Sequence, residues 1–305
     1  MDLRAYLGLP ISGKVLRLIQ LDKYWVIDQL LPPMGRVMLS APSKVGKTLL
    51  ALQLAHCIAS GKEFLGLSNE SGPQRVHYLD WEIGPVFMQR RLETMASIYP
   101  GADENIFVTM FPRGEVEDAM RLVRDVGFFV IDPISAIRME DENNNALVRR
   151  RLDELASVAR DEHGASLLIV HHTRKQPRDQ DNWYQALGEA RGAGAFYDWV
   201  DGGMALRELD ATDRTFELRF GTRGAETPDP MILTRDPETL TYFPKYGMMG
   251  EFGVEDYADA IEIVAHSLGR APSQAEVVRW LCEKHGKGRS AIYHILRSIG
   301  VEIEG

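Results

Sequence analysis

Five short, almost wholly apolar runs punctuate the first 170 residues, each separated from the next by a longer segment with helical spacing. They are Val37–Ser40, Val76–Asp80, Ile106–Met110, Phe128–Asp132 and Ser166–Val170. Near-continuous apolar character over about five residues is what a strand needs when both faces of a parallel sheet are covered. The intervening segments, roughly 47–60, 84–98, 115–125 and 144–163, predict helices. The last places Leu147, Val148, Leu152, Leu155, Ala156 and Ala159 on one stripe, with Arg and Glu opposite. Strand–helix alternation of this kind predicts an α/β fold with right-handed crossovers around a mostly parallel sheet.

The pattern changes after residue 200. Gly203–Leu209, Thr215–Phe220, Met231–Thr234 and Thr239–Phe243 read as short strands joined by turns, a mostly antiparallel extension of the sheet. A Gly/Met-rich stretch at 245–250 marks a boundary. Beyond it, helices are expected over about 255–267, 273–285 and 288–299. The chain thus divides into an N-terminal arm (1–24), a large α/β domain (25–246) and a small helical domain (255–305).

Composition narrows the function classes. Apolar residues make up 45% and charged residues 26%, so the chain buries a core rather than staying disordered. The formal charge of −9 excludes a protein that coats nucleic acid with its whole surface, while leaving room for local basic sites. No apolar run of 18 or more residues exists, so no membrane span is expected. The N-terminal residues lack a signal-peptide pattern. Cys57 and Cys282 lie far apart and match no zinc spacing, which points to a reducing, cytoplasmic setting.

The segment Ala41-Pro42-Ser43-Lys44-Val45-Gly46-Lys47-Thr48 joins the first strand to the first helix, which continues through Leu49. A loop there turns its backbone N–H groups of Ser43–Leu49 toward phosphates. Lys47 adds charge, Thr48 offers a hydroxyl to Mg²⁺, and the helix N-terminus adds its partial positive charge. Ala41 stands where this motif usually begins with Gly. Asp132 closes the fourth strand, where an aspartate serves Mg²⁺ from a strand C-terminus. Glu82 follows the second strand in Tyr78-Leu79-Asp80-Trp81-Glu82, as an acid suited to polarising water beside a γ-phosphate. ATP and Mg²⁺ are the expected cofactors.

These pieces, with Glu140-Asp141-Glu142-Asn143 and Val170-His171-His172-Thr173, resemble the RecA-fold ATPases and most closely their RepA-type hexameric replicative helicase branch. The resemblance spans about residues 25–235. It implies that Glu82 is the general base and that His172 or His171 senses the γ-phosphate. Period-2 alternation sends the two imidazoles to opposite sides, and the sequence leaves open which one faces the nucleotide. The resemblance also implies a homo-oligomer, a hexameric ring in that branch, with a Lys/Arg finger on the late strand Thr215–Gly224. Arg223 is the finger candidate; Gly221 replaces the usual Lys, and Arg219 is a substitute at a different reach.

Two segments suit DNA. In the polar stretch 173–184, Arg174, Lys175 and Arg178 meet phosphates while Trp183 and Tyr184 stack on bases, and the resemblance places a single-strand loop there. Residues 269–300 carry six Lys/Arg against two Glu, and a capping box at Ser273–Glu276 opens a helix–turn–helix spacing. Arg289 and Tyr293 then sit near the start of a recognition helix. The expectation is an ATP-hydrolysing, DNA-dependent motor of helicase type. A filament-forming recombinase and an ATP-gated regulator using the C-terminal helices are the alternatives.

Overall fold

A computed structural model describes residues 10–14, 25–137, 144–173, 196, 198–223, 227–245 and 254–285. Two compact units divide the chain at residues 243 and 244. The first is built on a nine-stranded sheet: β1 (Arg36–Ala41), β2 (Val76–Asp80), β3 (Ile106–Met110), β4 (Phe128–Asp132), β5 (Ser166–His172), β6 (Gly202–Asp210), β7 (Thr215–Thr222), β8 (Met231–Arg235) and β9 (Tyr242–Pro244). Their order is β3-β2-β4-β5-β1-β6-β7-β8-β9. Among the described residues this unit's longer helical elements include α1 (Lys47–Ser60), α2 (Pro85–Ile98), α3 (Val116–Met120) and α4 (Asn145–Ser157), the last running on through a π-helical turn at Val158–His163.

The sheet is covered on both faces, as the apolar runs require. On one face Leu39, Tyr78, Phe128, Val130, Leu168 and Val170 pack with α1 and with Met88 and Met95 of α2. On the other, Leu79, Phe129, Ile131, Leu167 and Ile169 pack with Val148, Leu152 and Leu155 of α4 and Met120 of α3. Helix α1 is buried almost all round, so its apolar residues form no single stripe. Helix α3 is shorter than its pattern suggests, because residues 121–125 leave the helix as turns and bends.

The strand β6 departs from the expected antiparallel extension. It joins β1 in parallel, with Val37 opposite Gly202 and Ser40 opposite Ala205, while the β6–β7 and β7–β8 pairs are antiparallel. The connection from β5 to β6 spans some thirty residues, enough for the crossover that a parallel neighbour demands. Asp201 anchors this join: its carboxylate takes the Arg36 backbone N–H at 3.0 Å and two guanidinium bonds at 3.0 and 2.8 Å. The same guanidinium lies 5.0 Å over the ring of the buried Trp199, whose Nε1 donates to Asp153.

His77 on β2 is fully buried, with Nε2 at 2.8 Å from the Thr109 hydroxyl. Burial pushes its pKa from an ordinary 6.5 down to about 4. The fold therefore excludes a proton that the unfolded chain accepts. This contribution is fully present above pH 6.5 and is lost as pH falls toward 4, a loss on the order of 2 kcal/mol by pH 5. Asp80 and Asp132 shift the opposite way, so the test is a comparison. Between pH 7 and pH 5 the melting temperature of the wild-type chain should fall further than that of His77→Gln.

In the second unit, α5 (Val254–Leu268) packs against α6 (Gln274–His285), with Ala260, Val264, Val277, Val278 and Leu281 buried. The capping box at α6 is formed: Ser273 N–H donates to Glu276 at 2.8 Å, and Glu276 N–H donates back to the Ser273 hydroxyl at 3.4 Å. Glu276 also pairs with Arg270 at 2.7 Å, so that cation is already engaged. The third expected helix, with Arg289 and Tyr293, lies outside the described residues.

Candidate active site

Four parallel strands, β1, β2, β4 and β5, end on the same side of the sheet, where ligands of open α/β sheets gather, and the candidate residues lie at or just beyond their C-terminal ends. Ala41 is the last residue of β1, paired with His172, so this position takes strand geometry and requires no glycine. The chain turns after it. Lys44 adopts φ +67° and Gly46 φ +111°, and α1 starts at Lys47 with no side chain capping its first amides. Successive N–H groups in such alternating conformations form an anion-binding concavity. Ser43 and Lys44 are exposed, while Val45 and Leu49 anchor the loop in the core.

Lys47 is buried, and its ammonium donates to the carbonyls of Ala41 at 3.1 Å and Pro42 at 2.9 Å. Burial lowers its pKa, while the carboxylates of Glu82 and then Asp132 support the charged form. Asp132 is completely buried at the end of β4. Its Oδ2 accepts the Tyr78 hydroxyl at 2.6 Å, and Oδ1 has no hydrogen-bond partner among the described residues. Burial pushes its carboxyl above the usual range, against the opposing hydroxyls of Tyr78 and Thr48. A buried carboxylate oxygen that makes no full hydrogen bond, with the Thr48 hydroxyl near it at a helix start, fits a hard cation bound through oxygen. Asp132 and Thr48 would hold Mg²⁺ there.

Alternation along β5 separates the two histidines. His172 shares the α1 face with Leu168 and Val170, and its Nε2 stands 3.4 Å from Glu82 Oε2. His171 points to the other face, its ring 4.9 Å from Phe196. Burial, the neighbouring His172 and the Lys47 charge push His171 down to about 4, so it is neutral at pH 7. Lys47, Thr48, Asp132, Glu82 and His172 are thus brought to one end of the sheet.

Arg223 is not brought there. Thr222 pairs with Gly202, which pairs with Val37 near the start of β1, so Arg223 lies at the opposite end of the strands, roughly 15 Å of strand away. Its guanidinium donates to the Asp198 carbonyl at 2.8 Å. Arg219 sits in an ion cluster in which Glu217 bridges it to Arg207. Arg174, Lys175, Arg178 and Trp183 lie outside the described residues.

Several residues at the site escape sequence reasoning. Tyr242 of β9 donates its hydroxyl toward the carbonyls of Val45 at 3.2 Å and Gly46 at 3.3 Å. Gln53 of α1 grips its main chain in both directions, at 2.8 and 2.9 Å. Arg235 reaches the Val45 carbonyl at 3.3 Å and lies 5.9 Å from the Tyr242 ring centre. Residues nearly 200 positions away therefore brace the back of the phosphate loop. Tyr78 and Asp80 carry no role of their own in the sequence segment that leads to Glu82, and Arg91 of α2 places its charge near both.

Comparison with known proteins bears on the fold that carries these residues. A family model described as an AAA domain matches residues 21–178, slightly more than half of the chain. Among solved structures, the chain is similar to one described as an ATPase domain, with a TM-score of 0.57, covering 76% of this chain and 95% of that one. At 13% identity that likeness is one of fold. A search of curated proteins finds no match. The chain belongs to the AAA-domain family and is a RecA-fold P-loop ATPase.

Proposed function

We propose that this ATPase is a Mg²⁺-dependent, helicase-like motor that acts on single-stranded DNA as an oligomeric ring. The observation that carries the reading is the gathering of Lys47, Asp132, Glu82 and His172 at one end of the sheet, with Arg223 held at the other. Bound ATP with its magnesium ion would supply the phosphoryl bond to be cleaved and the screening of its charge. The amides of Ser43–Leu49 and the Lys47 ammonium bind phosphate oxygens, with α1's N-terminus adding its field. Thr48 and Asp132 hold the cation. The exposed Glu82 carboxylate takes a proton from the attacking water, and His172 beside it senses the γ-phosphate.

Arg223 lies too far away to serve the site of its own chain. In a head-to-tail ring it enters the neighbour's site and stabilises charge there, which makes catalysis depend on assembly. The segment 174–184, with Arg174, Lys175, Arg178 and Trp183, contacts single-stranded DNA. The helical C-terminal domain, with Arg289 and Tyr293, adds a duplex contact.

A strand-displacement assay on a forked duplex tests this directly. The wild-type chain should unwind it with ATP and Mg²⁺, and Arg223→Ala should lose both unwinding and most hydrolysis. Mixing Arg223→Ala with Lys47→Ala subunits should restore part of the hydrolysis, because mixed neighbours rebuild intact sites. A chain that hydrolyses ATP as a monomer, untouched by Arg223→Ala, would sink the ring reading.

A further inference from the structure

We propose that Asp80 is a positioning residue for Glu82, fixing the turn that presents the general base. The inference rests on the hydrolytic role proposed for Glu82.

Asp80 ends β2 and is completely buried. Its carboxylate accepts the Glu82 backbone N–H at 3.3 Å and the Ile83 N–H at 3.2 and 3.1 Å. Its own carbonyl accepts Phe111 N–H at 2.6 Å, and the next residue, Trp81, donates to the Asp132 carbonyl at 3.0 Å. The turn is thus tied on one side to β3 and on the other to the strand that carries Asp132. Glu82 is held quite differently. Its side chain is half exposed, and His172 at 3.4 Å is its only ion-pair contact among the described residues. A long carboxylate with so little packing is placed by its backbone, and that backbone is held by Asp80. The two residues share one strand end, but only Glu82 reaches solvent on the side of Lys47 and His172. Positional error at a reacting group is costly: about 1 Å of misplacement lowers a rate roughly 100-fold.

Single-turnover ATP hydrolysis and nucleotide affinity, measured on the full chain, test the inference. Asp80→Ala should slow hydrolysis on the order of 10- to 100-fold, with nucleotide Kd changed by less than about twofold. Asp80→Asn keeps a side-chain carbonyl acceptor for the turn and should recover most of the rate. In a Glu82→Gln background, Asp80→Ala should slow hydrolysis no further, because its effect passes through Glu82. An equal slowing in both backgrounds overturns the inference, and so does a rate untouched by Asp80→Ala. If Asp80→Ala fails to fold, Asp80→Asn combined with Glu82→Gln carries the same comparison through its smaller effect. Full activity of Glu82→Gln itself would instead contradict the role proposed for Glu82, which separates the two failures.

Discussion

Gly46→Ala should abolish measurable nucleotide binding and lower the stability of the first unit by several kcal/mol. Two effects add. Gly46 holds φ +111°, where an L side chain is strained by about 1–3 kcal/mol. A Cβ at this position would also stand 2.1 Å from the Tyr242 hydroxyl and 2.9 Å from Arg235 Nη1. Tyr242 cannot step back, because it is fully buried and Gln53 holds its main chain. Overpacking of this kind costs roughly a further 1–3 kcal/mol. The two effects separate in a double variant. With Tyr242→Phe the nearest ring carbon is 3.4 Å from the added Cβ, so the steric part should be largely relieved while the backbone strain remains. Chemical unfolding of both variants, with nucleotide titration, measures the division. Equal destabilisation of the single and double variants would show that Tyr242 does not press on the loop.

Glu82→Gln should leave nucleotide binding nearly intact and slow hydrolysis by about 10²- to 10⁴-fold, the usual worth of a general base. Binding survives because Asp132 still faces Lys47 and the loop amides are untouched. The slowing comes from losing the one carboxylate, among the described residues, that is both exposed and placed against His172. Pre-steady-state hydrolysis and equilibrium binding together distinguish this from a variant that merely binds ATP poorly.

Much of the architecture was legible because parallel strands covered on both faces leave a plain signature. The runs 76–80, 106–110 and 128–132 are strands with those bounds. The phosphate loop was legible for the same reason, since it sits at a strand-to-helix junction that periodicity locates. What stayed hidden depends on strand order. That Tyr242 reaches Gly46 follows from the sheet continuing past β1 through β6, β7 and β8 to β9, whose Tyr242 shares the core with α1, which no local pattern records. The parallel entry of β6 was hidden likewise, because Gly202–Asp210 has the same composition whichever way it runs. The histidine pair shows the boundary sharply. Alternation alone separates His171 from His172, but assigning one to Glu82 requires knowing which face α1 covers. The role of Asp80 is hidden in the sequence because an acid at a strand end looks the same whether it meets solvent or two backbone N–H groups.

The proposed function stands on coupling of ATP hydrolysis at this site to DNA. The most direct measurement is steady-state ATPase activity of the full chain with Mg²⁺, with and without single-stranded DNA, over a range of salt. Strong stimulation that fades as salt rises is expected, since phosphate contacts dominate such binding, with no activity in Lys47→Ala. Hydrolysis that depends on Lys47 but is indifferent to single-stranded DNA at every salt concentration would contradict it.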